Sequence, residues 1–195
     1  SGGELALALR AQVPGANIAL HGNNKSEAEI ARAIRNGLGR VVADSVDELK
    51  LIEDVYAELA AERVAEGEEP YAPVPVLIRI TPGVHASTHE SIATAHEDQK
   101  FGMSLQPGTA ALAGLEEAEM EHWGVEATDS YAALAAAILN ATDSLDFRGI
   151  HCHIGSQIFE AEGFEQAATT ALEFMNRLNR DLGHALWKGQ RSHTR

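Results

Sequence analysis

Three serines along the chain are each followed three residues later by a glutamate, and each pair opens a segment with helical apolar spacing: Ser1 with Glu4, Ser26 with Glu29, and Ser45 with Glu48. At this spacing the hydroxyl and the carboxylate can satisfy each other's free backbone N–H groups, which makes each pair a capping box at a helix start. The second and third pairs directly follow short apolar runs, Ile18–His21 and Val41–Asp44. Short apolar strands that pass through a brief polar turn into capped helices must pair in parallel, with helices covering the sheet.

The spacing predicts a helix from about Gly3 to Ala11, stopped near Pro14-Gly15. A second helix carries Ile30, Ala33 and Ile34 on one face and ends near Gly37 and Gly39. A third carries Leu49, Ile52, Tyr56 and Leu59. The acidic, proline-rich segment from Glu66 to Pro75 reads as a loop, and Val76–Ile80 as a third strand ended by Thr81-Pro82-Gly83. A long polar insert runs from Val84 to Phe101, and such inserts are usually functional or disordered. Gly108–Ala118 and Asp129–Leu139 read as alanine-rich helices with a solvated acidic stretch, EEAEMEHW, between them. Phe147–His153 reads as the fourth strand. Gly163–Leu182 reads as the last helix, with Phe164, Ala168, Leu172, Met175 and Leu182 on its core face.

This alternation fits either an open doubly wound sheet or a barrel. No strand is followed by a G-x-G-x-x-G turn or a P-loop, so both common nucleotide-binding readings lose support. The formal net charge of −14 opposes binding to nucleic acid or to an anionic membrane surface. No apolar run approaches the ~18 residues a membrane helix needs. The single cysteine, Cys152, forbids an internal disulfide and makes a reducing, cytoplasmic setting the simplest expectation.

In parallel α/β folds reactive side chains gather where strands end and helices begin. Those positions hold HGNNKS (21–26), ADS (43–45), RITPG (79–83) and HCHIGSQ (151–157). Helix capping accounts for Ser26 and Ser45 but less well for the histidines, Lys25 and Arg79. His151 and His153 are two apart on a strand and so share a side. They read either as metal ligands, with His85, His89 and His96 as further candidates, or as one imidazole lying flat on an aromatic cofactor. On the second reading the bare backbone of Gly155 and the hydroxyl of Ser156 would grip a phosphate. Arg79 could face the same cavity or pair with Asp44 or Glu48.

Four motifs, SGGEL (1–5), HGNNKS (21–26), HEDQKFG (96–102) and HCHIGSQIF (151–159), occur in the order and spacing found in the diaminopimelate decarboxylases. From Ser1 to about Leu182 the chain resembles that family. The resemblance implies a pyridoxal 5'-phosphate enzyme whose catalytic domain is an alanine-racemase-like (β/α)8 barrel followed by a β-domain. Residues 1–182 would form part of that barrel, and 183–195 would be a divergent tail. By resemblance, His153 stacks on the cofactor ring, Ser156 holds its phosphate, and Arg79 lies near the ring's phenolic oxygen. His21, Asn23, Lys25 and Lys100 lie near the pocket on the same grounds.

The resemblance further implies conversion of meso-2,6-diaminopimelate to L-lysine by a homodimer, with no metal. Ornithine and arginine decarboxylases share the HxGS logic, but HGNNKS and HEDQKFG favour diaminopimelate. The family's Schiff-base lysine, glycine-rich phosphate loop and β-domain have no counterpart among these residues, so the expectation is an internal fragment that is inactive alone. Two other readings stay open: a metal-dependent barrel hydrolase using His151 and His153, and a truncated, non-enzymatic product that aggregates through unpaired strand edges.

Overall fold

The computed structural model describes residues 1–82, 101–126, 128–154 and 161–182. Six helices and five strands follow one another as α1 (Gly2–Arg10), β1 (Ala19–Leu20), α2 (Glu27–Arg35), β2 (Arg40–Ala43), α3 (Val46–Ala65), β3 (Val74–Thr81), β4 (Met103–Ser104), α4 (Glu117–Trp123), α5 (Tyr131–Ala141), β5 (Leu145–Cys152) and α6 (Ala161–Asp181). Short 3-10 turns at Gly15–Asn17 and Ala110–Ala113 precede β1 and α4.

The serine–glutamate pairs do what their spacing predicts. At α1 and α2 both halves of the capping box form. At α3 the Ser45 hydroxyl accepts from the Glu48 N–H, but the Glu48 carboxylate turns elsewhere, to the site described below.

All strand pairs are parallel. The main path runs β1–β2–β3, and β3 then pairs with β5 along its length and with β4 at its last residues. Burial alternates along β3: Val74, Val76, Ile78 and Ile80 are buried, whereas Leu77, Arg79 and Thr81 are partly open. The first set meets Leu49, Ile52, Ala135 and Ile138 of the covering helices in one core. The second set stands on the opposite face, which no described helix covers. This is α/β architecture with a parallel sheet, as expected.

One irregularity sets the register of β5. Phe147 pairs with Val76, but the next partner of β3, Leu77, meets Gly149, so Arg148 is an extra residue bulged out of the ladder. At the entry to β2, the Gly39 N–H donates to the Gly15 carbonyl at 3.0 Å. A Cβ on Gly39 would stand 2.0 Å from the Ala16 carbonyl oxygen, so the two segments cross at a distance that excludes any side chain there.

Several sequence expectations are corrected. The stretch Gly108–Ala118 is not a helix: Gly108 and Gly114 both have positive φ (81° and 63°), and only one 3-10 turn fits between them. EEAEMEHW is itself mostly helix α4, and Trp123 at its end donates to Glu53 of α3 at 2.8 Å, so this face is not purely solvated. β3 begins at Val74, inside the expected loop. The strand read as the fourth is the fifth, because the two-residue β4 follows the polar insert. Residues 84–100 of that insert lie outside the described residues.

The core face of α6 is also rotated from expectation. Ala167, Phe174 and Leu178 are buried, while Phe164 and Leu172 are 55% and 65% exposed. Both sets have helical spacing, and the one whose phenylalanine lies nearer the middle of the helix is in the core. Among the described residues no helix is long and apolar enough to cross a membrane.

Candidate functional site

The open face of the sheet collects charge at its carboxyl end. β2 and β3 are in register at Ala43 and Ile78, which brings the next residues, Asp44 and Arg79, side by side. Arg79 is in turn paired in register with His151 of β5. Asp44, Arg79 and His151 therefore form one row across three strands. Arg79 Nη1 donates to Asp44 Oδ1 at 2.7 Å, and each side chain is 12% exposed. The other carboxylate oxygen of Asp44 accepts from the Gly102 N–H at 3.2 Å. The Arg79 guanidinium also lies 5.4 Å from the centre of the Phe101 ring, within cation–π range.

His21 enters from the end of β1. In a flat sheet β1 and β5 would be about 14 Å apart, being separated by three strand spacings. The His21 and His151 ring centroids are only 4.7 Å apart. The sheet therefore curls so that its open face is concave, as a barrel interior requires.

Two structural facts set the protonation of these rings. Partial loss of solvent is the main cause that lowers the pKa of both His21, which stays open on one side, and His151 from the ordinary value of 6.5, and the nearby Arg79 charge acts in the same direction on each. Lys25 adds to this at His21, and His21 adds to it at His151; Asp44 opposes it weakly at both. Neutral imidazoles result, each with one donor and one acceptor nitrogen. His151 Nδ1 is buried and has no hydrogen-bond partner among the described residues. His153 follows the last residue of β5, is exposed, and lies near enough for its charge to act on both other rings.

The residues singled out in HGNNKS divide. His21 and Asn23 are exposed at the end of β1, whereas Lys25 is buried. The Lys25 ammonium donates to the Gly22 carbonyl at 2.7 Å, the Val42 carbonyl at 2.6 Å and Glu48 Oε1 at 2.9 Å. All three of its donors are used inside the protein. Sequence reasoning offered Asp44 or Glu48 as the partner of Arg79; Asp44 is that partner, while the pairing of Glu48 with Lys25 and the part played by Gly102 were missed. Glu48 was absorbed into a capping box, and Gly102 was visible only as the end of HEDQKFG. Lys100, Gly155 and Ser156 lie outside the described residues, as do His85, His89 and His96. Among the described residues no group of three or more histidine, cysteine, aspartate or glutamate side chains is arranged to hold a metal.

Two surface depressions lie away from this row. One of about 510 Å³ runs along α6 beside Leu105, and one of about 320 Å³ lies at the opposite end of the sheet, near Leu38 and Pro73. Neither touches Arg79 or the histidines, and the chemistry sits on the concave face instead.

The model of the pyridoxal-dependent decarboxylase family's pyridoxal-binding domain matches residues 1–127 and 114–187. The chain belongs to the pyridoxal-dependent decarboxylase family. Within that family it is 42% identical over 183 residues to the diaminopimelate decarboxylase of Corynebacterium efficiens, covering 94% of this chain and 33% of that protein. It is 44% identical over 168 residues to the enzyme of Mycobacterium leprae, covering 86% and 29%. The chain thus spans about a third of the length of the curated relatives it matches. Among solved structures, diaminopimelate decarboxylase from M. jannaschii in complex with L-lysine superposes with a TM-score of 0.67 at 28% identity, covering 93% of this chain and 34% of that one. The Helicobacter pylori enzyme complexed with L-lysine gives 0.65 at 25% identity, covering 94% and 37%. The concave sheet is therefore part of this family's pyridoxal-binding barrel domain.

The row fits such a group on its own chemistry. A guanidinium and an unsatisfied imidazole nitrogen share one face at the strand ends, and both can bond oxygen atoms of an anionic ring.

Proposed function

We propose that this chain forms the cofactor-binding part of a decarboxylase that converts meso-2,6-diaminopimelate to L-lysine and carbon dioxide. The reading is carried by 42–44% identity to diaminopimelate decarboxylases over 86–94% of the chain. The L-lysine in the two homologous complexes agrees with it. In the reaction one carboxylate leaves as carbon dioxide and a proton takes its place on the same carbon. When bound, pyridoxal phosphate supplies a conjugated ring that takes up the electron pair left behind.

The chain's own residues orient and hold. Arg79, with one nitrogen fixed by Asp44, keeps its remaining N–H groups for an oxygen of the ring. His151 offers the Nδ1 that no group among the described residues satisfies. His153, at the exposed end of β5, covers one face of the ring and fixes its tilt. Gly155 and Ser156 grip the phosphate, and His21, Asn23 and Lys100 line the approach. Residues 1–182 are the barrel part and 183–195 a separate tail. The working form is a cytoplasmic homodimer.

Titrating the chain with pyridoxal 5'-phosphate, followed by ring absorbance and tryptophan fluorescence, tests the cofactor assignment. His153→Ala is expected to weaken binding, and unchanged affinity would remove the stacking role. In the holoenzyme, carbon dioxide is expected from meso-diaminopimelate. Release from ornithine or arginine alone would move the assignment to those neighbouring enzymes.

A further inference from the structure

A line of contacts runs from a buried amine to the site. Lys25 and Glu48, 6% and 7% exposed, form an ion pair beneath the ends of β1 and β2. Glu48 Oε1 accepts from Lys25, and Oε2 accepts from the Asp44 N–H at 2.8 Å. The Asp44 side chain then holds Arg79 through Oδ1 and the Gly102 N–H through Oδ2. Every link is directional. An ammonium with three acceptors cannot slide, a carboxylate with both oxygens engaged cannot rotate, and a fixed Asp44 N–H sets where its own Cβ points.

Stability alone is a poor account of this pair. Removing two charges from water costs several kcal/mol per ion, and an apolar pair of similar volume does as well or better (about 1–4 kcal/mol in some cases). A Schiff-base role is no better, because an amine whose three donors are bound inside the protein has no free lone pair to attack a carbonyl.

We propose that Lys25 and Glu48 are positioning residues that act through Asp44 to fix the guanidinium of Arg79 on the concave face. The use made of Arg79 rests on the function proposed above, whereas the placement of Arg79 does not.

The test therefore reads placement without the cofactor. In the full chain, Arg79 is modified with p-hydroxyphenylglyoxal and quantified by peptide mass spectrometry. The temperature is kept where circular dichroism shows each variant folded. Glu48→Gln cannot accept both hydrogen bonds. It is expected to speed Arg79 modification about tenfold, the scale of one lost charge-assisted hydrogen bond. Asp44→Asn is expected to do the same, and the double variant to add nothing further, because both act along one path. Hydrogen exchange at the Asp44 amide should rise in Glu48→Gln. An unchanged Arg79 rate in Glu48→Gln, or independent effects in the double variant, would overturn the proposal.

Should Glu48→Gln not fold, competitive acetylation of the unaltered chain decides. Lys25 is expected to react at least about tenfold more slowly than Lys50, since a buried amine reacts only through opening. Equal rates would overturn the buried pair. Failure of these tests with cofactor binding intact removes only the positioning role. Loss of cofactor binding with Arg79 still protected removes only the earlier reading.

Discussion

The Arg79 guanidinium and the Asp44 carboxylate meet at 2.7 Å from adjacent parallel strands, each 12% exposed. The pairing leaves Arg79 with a fixed direction rather than a free charge. In the proposed site it would present N–H groups at one place, and that use depends on the planar fork more than on the positive charge.

Arg79→Lys should therefore behave as a loss, not as a conservative change. A lysine keeps the charge but cannot hold Asp44 and a ligand oxygen in one plane. Affinity for pyridoxal 5'-phosphate is expected to fall about tenfold, the effect of one charge-assisted hydrogen bond. Fluorescence titration checks this.

Gly102→Ala should reach the same site by another route. Gly102 has φ +89°, and a Cβ there would stand 3.1 Å from Thr81 Oγ1 and 3.2 Å from the Arg79 carbonyl. The substitution adds backbone strain of roughly 1–3 kcal/mol and disturbs the N–H that Asp44 accepts. A lower urea midpoint together with weaker cofactor binding is the expected pair of results.

Tyr131→Phe isolates a contact outside the site. The Tyr131 hydroxyl accepts from the Val46 N–H, the first in α3, at 3.1 Å. Without it that N–H loses its partner, at a cost of about 1–2 kcal/mol. Urea unfolding should show the loss while cofactor binding holds.

Acid should weaken the fold through the two paired rings. His21 and His151 have pKa values below the ordinary 6.5, chiefly through partial loss of solvent. The unfolded chain therefore binds protons first as pH falls below 6.5. Stability is full above that pH, declines through the window down to the lowered folded values, and levels off once both states are protonated. Thermal melts across this range should show the decline, and His21→Gln should flatten it.

Much of the fold was legible because its signals are local. A capping box needs only two side chains three residues apart, and a parallel strand only a short apolar run. The HCH run announced the end of β5 and Arg79 announced the end of β3. The use of Lys25 and Glu48 was not legible, since it depends on a contact 23 residues apart in sequence. The core face of α6 was misread because the helix carries two apolar stripes and periodicity does not rank them. Phe174→Ala should accordingly cost about 3–5 kcal/mol and Leu172→Ala no more than about 0.5, by chemical denaturation.

The bulge at Arg148 carries a consequence for everything on the concave face. Side chains alternate between the two faces of a strand, so a one-residue slip in pairing exchanges the faces. Were Arg148 paired with Leu77 in a regular ladder, Ile150 would stand opposite Arg79, and His151 would turn under the helices beside Ile80. A single bulged amino acid thus decides that imidazole, not hydrocarbon, lines the hollow of the sheet: deleting Arg148 would straighten the ladder and keep His151 opposite Arg79, whereas drawing Arg148 into the pairing would invert the site while leaving its sequence motif intact.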